Sequence, residues 1–328
     1  MQGKRARSVR RNAWKTRPLV SSLIRRSAKL ALALIVTLVI ATQVNAADTF
    51  GPRDTEAQIS SLAPASAGFP SSFPLLSAAL RVPGMLVPDE PWRRFAVRAK
   101  VEPGQPAIAI VIDDLGMSAR EVDNVLGLGE QLTLSFLPDG ADAPWLARYA
   151  RRAGHEVLVH VPMEPMHAGH RLGAYGLRVS YGAQVNRDRL STILARFGAY
   201  VGINNHMGSR FTSDTESMAP ILTELKRRGL MFLDSRTTAA TQGNRLAALL
   251  EVPHAMRDVF IDAEPTPEAI RYQLARLERV ARENGLAIAI GHPHAATLRA
   301  LRAWLPEAKA RGFAFVPISY AARLNCAC

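Results

Sequence analysis

The chain has 328 residues, 48% of them hydrophobic, enough to build a sizeable buried core. Its formal charge of +13 invites a nucleic-acid or membrane-surface reading, but ten basic residues precede residue 30 and removing them leaves +3, so nucleic acid is excluded as an expected partner. The only cysteines, Cys326 and Cys328, lie in the last three residues, which excludes a disulfide framework and a Cys-rich zinc site and reads as a loose terminus.

The basic stretch from Lys4 to Lys29 contains no acid and runs into the apolar segment from Leu30 to Ile40, after which Val44-Asn45-Ala46 supplies small residues where a signal peptidase reads. This three-part pattern predicts an export signal over residues 1–46 and a periplasmic or extracellular location. A run of roughly ten apolar residues is short for a hydrocarbon core ~30 Å thick, and an uncleaved anchor extended by Ala41 and Thr42 is the alternative. Residues 47–106 carry nine prolines among Ala, Ser and Gly and read as a linker, with one apolar patch, Trp92 to Val97, expected to pack on the surface of the domain after it.

From Ala107 the texture changes to short apolar runs alternating with amphipathic stretches, the pattern of strand-helix units around a parallel sheet. Runs at Ala107 to Ile112, Leu132 to Leu137, Val157 to Val161, Tyr200 to Ile203, Leu230 to Leu233, Val259 to Ile261, Leu286 to Ile290 and Phe313 to Ile318 predict about eight strands. Between them, Ser213-Asp214-Thr215-Glu216 reads as a capping box with Gly229 as the helix stop, and Thr266-Pro267 opens a helix that Gly285 ends. Residues 107–328 are thus expected to form a single barrel-like α/β domain.

Acids and imidazoles recur where these strands end: Asp113 and Asp114, His160, Asn204-Asn205-His206, Asp234, Asp262, and His292 with His294. In a parallel barrel all such positions share one face, the face on which these folds place chemistry. Two adjacent carboxylates repel unless a cation or proton intervenes, so Asp113 and Asp114 point to a metal, although either alone serves equally as a helix cap. Taken singly, His160 reads as a core histidine, and Asp234 and Asp262 as caps. His206 lies in a turn too rich in hydrogen-bonding groups for an ordinary connector.

Five ordered strings resemble the divergent branch of the polysaccharide deacetylase superfamily over residues 107 to about 324: Ala109-Ile110-Val111-Ile112-Asp113-Asp114-Leu115-Gly116; Gly154-His155-Glu156-Val157-Leu158-Val159-His160-Val161-Pro162-Met163-Glu164-Pro165; Asn204-Asn205-His206-Met207-Gly208-Ser209; Asp234-Ser235; and Ile290-Gly291-His292-Pro293-His294. The resemblance implies a distorted (β/α) barrel of about seven to eight parallel strands, a divalent metal that is usually zinc, and hydrolysis of an acetyl group on a polysaccharide. It assigns Asp113 as base, Asp114 and His160 as metal ligands and His292 as the acid that protonates the leaving group. Four residues beyond His160, ordinary members carry a second metal histidine where this chain has Glu164, so the third ligand is either Glu164 or His206, with His206 preferred. The Arg-x-Pro-Tyr string of ordinary members is absent, leaving Asn205, Asp234 and His294 as substrate-side candidates. These departures keep open an alternative function, a non-catalytic envelope glycan-binding or scaffold protein with a vestigial metal site, and hydrolysis of another envelope amide or ester shares the same residues.

Overall fold

The computed structural model describes residues 90–167, 169 and 171–325, so the predicted signal, the linker up to residue 89, and Cys326 and Cys328 lie outside the described residues. The strands are β1 (Ala107–Leu115), β2 (Thr133–Phe136), β3 (Glu156–Met163), β4 (Gly202–Met207), β5 (Met231–Asp234), β6 (His254–Met256), β7 (Val259–Phe260), β8 (Leu286–Gly291) and β9 (Ala314–Val316). Every pairing is parallel, in the order β6-β5-β4-β3-β2-β1-β8-β7, with β9 beside the first half of β1. Parallel neighbours require long crossovers, and helices supply most of them, among them Ala143–Arg152, Thr215–Arg227 and Pro267–Asn284. Among the described residues no helix is long and apolar enough to cross a membrane.

The sheet is carried round from β5 to β8 by one short stretch in which the pairing partner changes. Arg257 N donates to Asp234 O at 3.1 Å on the β5 side, and Asp258 N donates to Ile288 O at 2.9 Å on the β8 side. The result is a distorted (β/α) barrel. Its β6, His254–Met256, is not legible as a strand in the sequence, because Pro253 and His254 interrupt the apolar residues around it.

Side-chain alternation divides the apolar residues into two cores. Ile108, Ile110 and Ile112 of β1, with Val157, Val159 and Val161 of β3, pack outward against the helices. Ala107, Ala109 and Val111, with Leu158, Leu233, Ile288 and Ile290, fill the barrel interior. Advancing the interior rows by two residues reaches Asp113, His160, Ser235 and His292. One set of inward positions is therefore apolar at the start of the strands and polar where they end.

Trp92, expected to rest on the surface, is instead fully buried within the interior core. Its N donates to Gly229 O at 3.0 Å, just before β5, and its Nε1 donates to Glu90 Oε2 at 2.8 Å. Small residues lining the early barrel, Ala107 and Ala109, leave a space that the indole shares. Residues Trp92 and Val97 thus pack with the strands although they precede β1. Glu156 ties this end together, accepting from Val97 N at 3.1 Å and from Ser319 N at 2.8 Å in the closing helix Ile318–Asn325.

Two helix boundaries follow from local chemistry. Thr266 Oγ1 accepts from Ala269 N and Gly285 ends the helix in the left-handed conformation, as the sequence predicts. Ahead of Thr215–Arg227 the cap is Asp214, whose Oδ1 accepts from Ser217 N at 2.7 Å; Ser213, the expected cap, donates its hydroxyl to Arg210 O. The carboxylate one residue nearer the helix wins that role.

Candidate functional site

Neighbouring residues on a strand ordinarily point to opposite faces, yet Asp113 and Asp114 line the same cavity of about 340 Å³. The backbone explains it. Ile112 pairs with Leu134 and Leu115 with Phe136, so β1 carries one residue more than β2 over this interval, a bulge. Within it Asp114 adopts φ +60°, a conformation that costs a non-glycine residue roughly 1–2 kcal/mol. Met207 at the end of β4 and Arg236 after β5 also have positive φ, so local strain gathers at the strand ends that surround the cavity.

Asp114, His160 and His206 bring three ligand-type atoms within 4.8 Å of one another. Asp114 Oδ1 lies 2.8 Å from His206 Nδ1 and 3.2 Å from His160 Nε2, and the two ring nitrogens are 3.3 Å apart. Asp114 Oδ1 is buried, and among the described residues no amide or hydroxyl donates to it. Lone-pair atoms converging this closely fit a divalent cation, and one carboxylate with two imidazoles is a donor set that suits zinc. The sequence places His206 after a strand ending at Ile203; β4 in fact runs to Met207, and this extension sets His206 beside Pro162 of β3.

Asp113 is 2% exposed and lies 3.6 Å from His160 Nε2. Asn204 Nδ2 donates to both its oxygens, at 2.9 and 3.0 Å, while Asn204 Oδ1 faces His160 Nδ1 at 2.9 Å. Burial pushes the Asp113 carboxyl above the usual aspartate value, against the opposing pull of His160, His292 and the Asn204 amide. Burial acts the same way on Asp114, but His160 and His206 outweigh it and hold that carboxyl well below its ordinary value. For His160, burial lowers the value and the two aspartates more than reverse it, so the imidazole is pushed up to about 9 in the metal-free chain.

On the opposite wall, His292 Nε2 lies 3.8 Å from Asp114 Oδ2. Its Nδ1 is 2.9 Å from Asp262 Oδ1, and Asp262 Oδ2 accepts from His292 N at 2.7 Å and from Thr297 Oγ1 at 2.7 Å. Burial lowers the His292 value, and Asp262 more than offsets it, raising the net value above that of free histidine. Asp262, read from the sequence as a cap, therefore fixes the ring and leaves Nε2 facing the cavity.

The remaining candidates sit elsewhere or are otherwise engaged. Glu164 is outside the trio: its Oε2 accepts from Val179 N at 2.7 Å and its Oε1 pairs with Arg210 at 3.0 Å. Asp234 is fully buried and accepts from Arg236 N, Thr241 Oγ1 and Asn244 N, which makes it an anchor for the loop and helix after β5 and takes it out of the substrate side. Asn205 lines the cavity, but its amide bridges Met207 O and Ser235 N. His294 is exposed and stacks on His292 at 5.6 Å between ring centres. Sequence reasoning gives no role to Asn204 or Arg257. Arg257 lines the cavity, held by Ser235 O and Arg236 O at 2.8 Å each and by Phe260 beneath it.

The family model for divergent polysaccharide deacetylases matches residues 110–322, the stretch that contains every group described above. The chain belongs to this family. The chain is 38% identical over 195 residues to the uncharacterised protein YibQ of Escherichia coli K12, a match covering 60% of this chain and 61% of that protein's length. A Haemophilus influenzae protein, also uncharacterised, is 32% identical over 201 residues, covering 61% of this chain and 71% of its own. The crystal structure of uncharacterised protein ATU2773 from Agrobacterium tumefaciens superimposes with a TM-score of 0.68 at 31% identity, covering 71% of this chain and 95% of that one. The divergent deacetylase fold thus begins its match inside β1 and ends inside the closing helix.

Proposed function

We propose that the chain is an exported, metal-dependent hydrolase that removes acetyl groups from an envelope or extracellular polysaccharide. The observation that carries this reading is the convergence of ligand atoms from Asp114, His160 and His206, with Asp113 on one side and His292 on the other. Asp114, His160 and His206 would hold a divalent cation, most readily zinc, which supplies a Lewis acid that activates water and polarises a carbonyl.

Asp113 takes the proton of the attacking water. Asn204 grips both of its oxygens and fixes the direction in which the remaining lone pairs point. His292, held in one orientation by Asp262, which also raises its value above that of free histidine, delivers a proton to the departing amine or alcohol. The base and acid thus stand on different strands, β1 and the end of β8, across a cavity that accommodates a small acyl group. The basic, apolar and small-residue segments before residue 47 support export.

Acetate release from N- and O-acetylated glycans, with and without chelator and then with zinc restored, tests the proposal. Release that stops with chelation, returns with zinc and is lost in Asp113→Asn is the expected result. A chain that binds glycan yet releases no acetate under any metal condition would overturn it in favour of a scaffold role.

A further inference from the structure

Beside the acid and imidazole cavity, and sharing His206 as a wall, lies a second cavity of about 790 Å³ lined in part by Arg171, Arg178, Leu172, Asp139 and Met117. Arg171 and Arg178 come from the segment between β3 and the helix Gly182–Ala195. Neither guanidinium has a hydrogen bond or ion pair among the described residues. Asp139, the acid on this wall, is directed to Ala174 N at 3.2 Å.

The segment is built to hold the backbone of Arg178 still. Asn186, 1% exposed, accepts from Arg178 N at 3.1 Å and donates to Arg178 O at 2.8 Å. Glu164 takes the next amide, Val179 N, and Arg189 donates to Gly176 O at 3.0 Å and also to Ala174 O. These contacts rigidify the backbone under a half-buried cation that has no partner among the described residues. Arg236 and Arg257 add positive charge to the inner cavity. Unpaired guanidinium groups around a concave surface focus a positive field and match the planar geometry of carboxylate and phosphate oxygens.

We propose that the outer cavity is a subsite for an oxyanion borne by the saccharide substrate, a carboxylate or a phosphate, held by Arg178 and Arg171. Acidic glycans are then selected over neutral ones. The inference rests on the hydrolase reading only in naming the occupant a substrate, because its test reads binding alone.

Isothermal titration of the full chain with zinc compares neutral N-acetylchitotetraose with a hyaluronan tetrasaccharide, and N-acetylglucosamine with its 6-phosphate. The two pairs distinguish carboxylate from phosphate. At least tenfold tighter binding of one acidic member is expected, falling toward a ratio of one in Arg178→Gln and in Arg171→Gln, and also in the unaltered chain when sodium chloride is raised from 50 to 500 mM. The salt arm needs no variant and so stands if a substitution impairs folding. Equal affinity for acidic and neutral members, or a preference that both substitutions leave intact, overturns the subsite. Acetate release followed separately on the same saccharides distinguishes the two claims: release without acidic preference sinks the subsite alone, and acidic preference without release sinks the hydrolase alone.

Discussion

Asn204 holds Asp113 by both carboxylate oxygens, at 2.9 and 3.0 Å, and presents its own oxygen to His160, so one amide on β4 orients both the proposed base on β1 and a proposed ligand on β3. Removing it in Asn204→Ala leaves a buried carboxylate without its donors. Losing an interaction of roughly 1–3 kcal/mol from the transition state lowers a rate by about 10- to 100-fold, and a fall of that size is expected in kcat on p-nitrophenyl acetate. The donor favours the ionised form of Asp113, and its loss raises that pKa further. Asp113 works as a base only when ionised, so the acid limb of the pH–rate profile should move to higher pH. A profile that keeps its acid limb while kcat drops would assign Asn204 to structure alone.

Asp262 and His292 give the opposite limb. Asp262 raises the His292 value above that of free histidine, and a proton donor must be protonated to act. In Asp262→Asn the charge is lost, the His292 value falls and the alkaline limb should shift to lower pH. Acid catalysis contributes about 10²- to 10⁴-fold, so a loss of at least about 100-fold is expected on substrates with poor leaving groups and a smaller one on p-nitrophenyl acetate, whose leaving group needs no proton. Equal losses on both substrates would count against the acid role.

Much of this arrangement could be read from the chain and some could not, for reasons that differ by residue. The apolar run of β1 and the cap at Thr266 are local signals, and local signals survive folding. Asp113, His160 and His292 end inward rows, which strand alternation makes visible. The role of Asp262 depends on β7 lying beside β8, a pairing that joins partners thirty positions apart in sequence and leaves no local mark. Asp234 occupies an equivalent strand end but turns toward Thr241 and the helix Gly243–Leu249. Position alone could not separate the two. The bulge that lets Asp113 and Asp114 share a cavity is likewise a property of pairing with β2.

Zinc affinity separates His206 from Glu164. His206 Nδ1 is 2.8 Å from Asp114 Oδ1, whereas both Glu164 oxygens are engaged by Val179 N and Arg210. Structural zinc sites of about four ligands bind with roughly 10–16 kcal/mol, so losing one ligand weakens binding by about 100-fold or more. His206→Ala should show that loss in competition with a chromophoric chelator, and Glu164→Ala should stay within about threefold. The His160 proton must leave before the ring can ligate, and its value in the metal-free chain is about 9. Affinity should therefore climb as pH rises toward 9. A larger loss in Glu164→Ala than in His206→Ala would reverse the ligand assignment.

Trp92 tests where the folded body begins. The indole is fully buried in the interior core with Ala107, Ala109 and Leu158, although it belongs to the segment ahead of β1 that the sequence reads as a tether. Truncating a buried Trp to Ala costs about 3–5 kcal/mol, and for a body of this size each kcal/mol lowers the melting midpoint by roughly 2–4 °C. Trp92→Ala in the full chain should thus melt on the order of 10 °C lower, with Trp92→Phe between the two. Arg98→Ala, an exposed position in the same segment, should change the midpoint by about 1 °C or less. If Trp92→Ala melts with the unaltered chain, the segment before β1 is a surface strap and the barrel is complete without it.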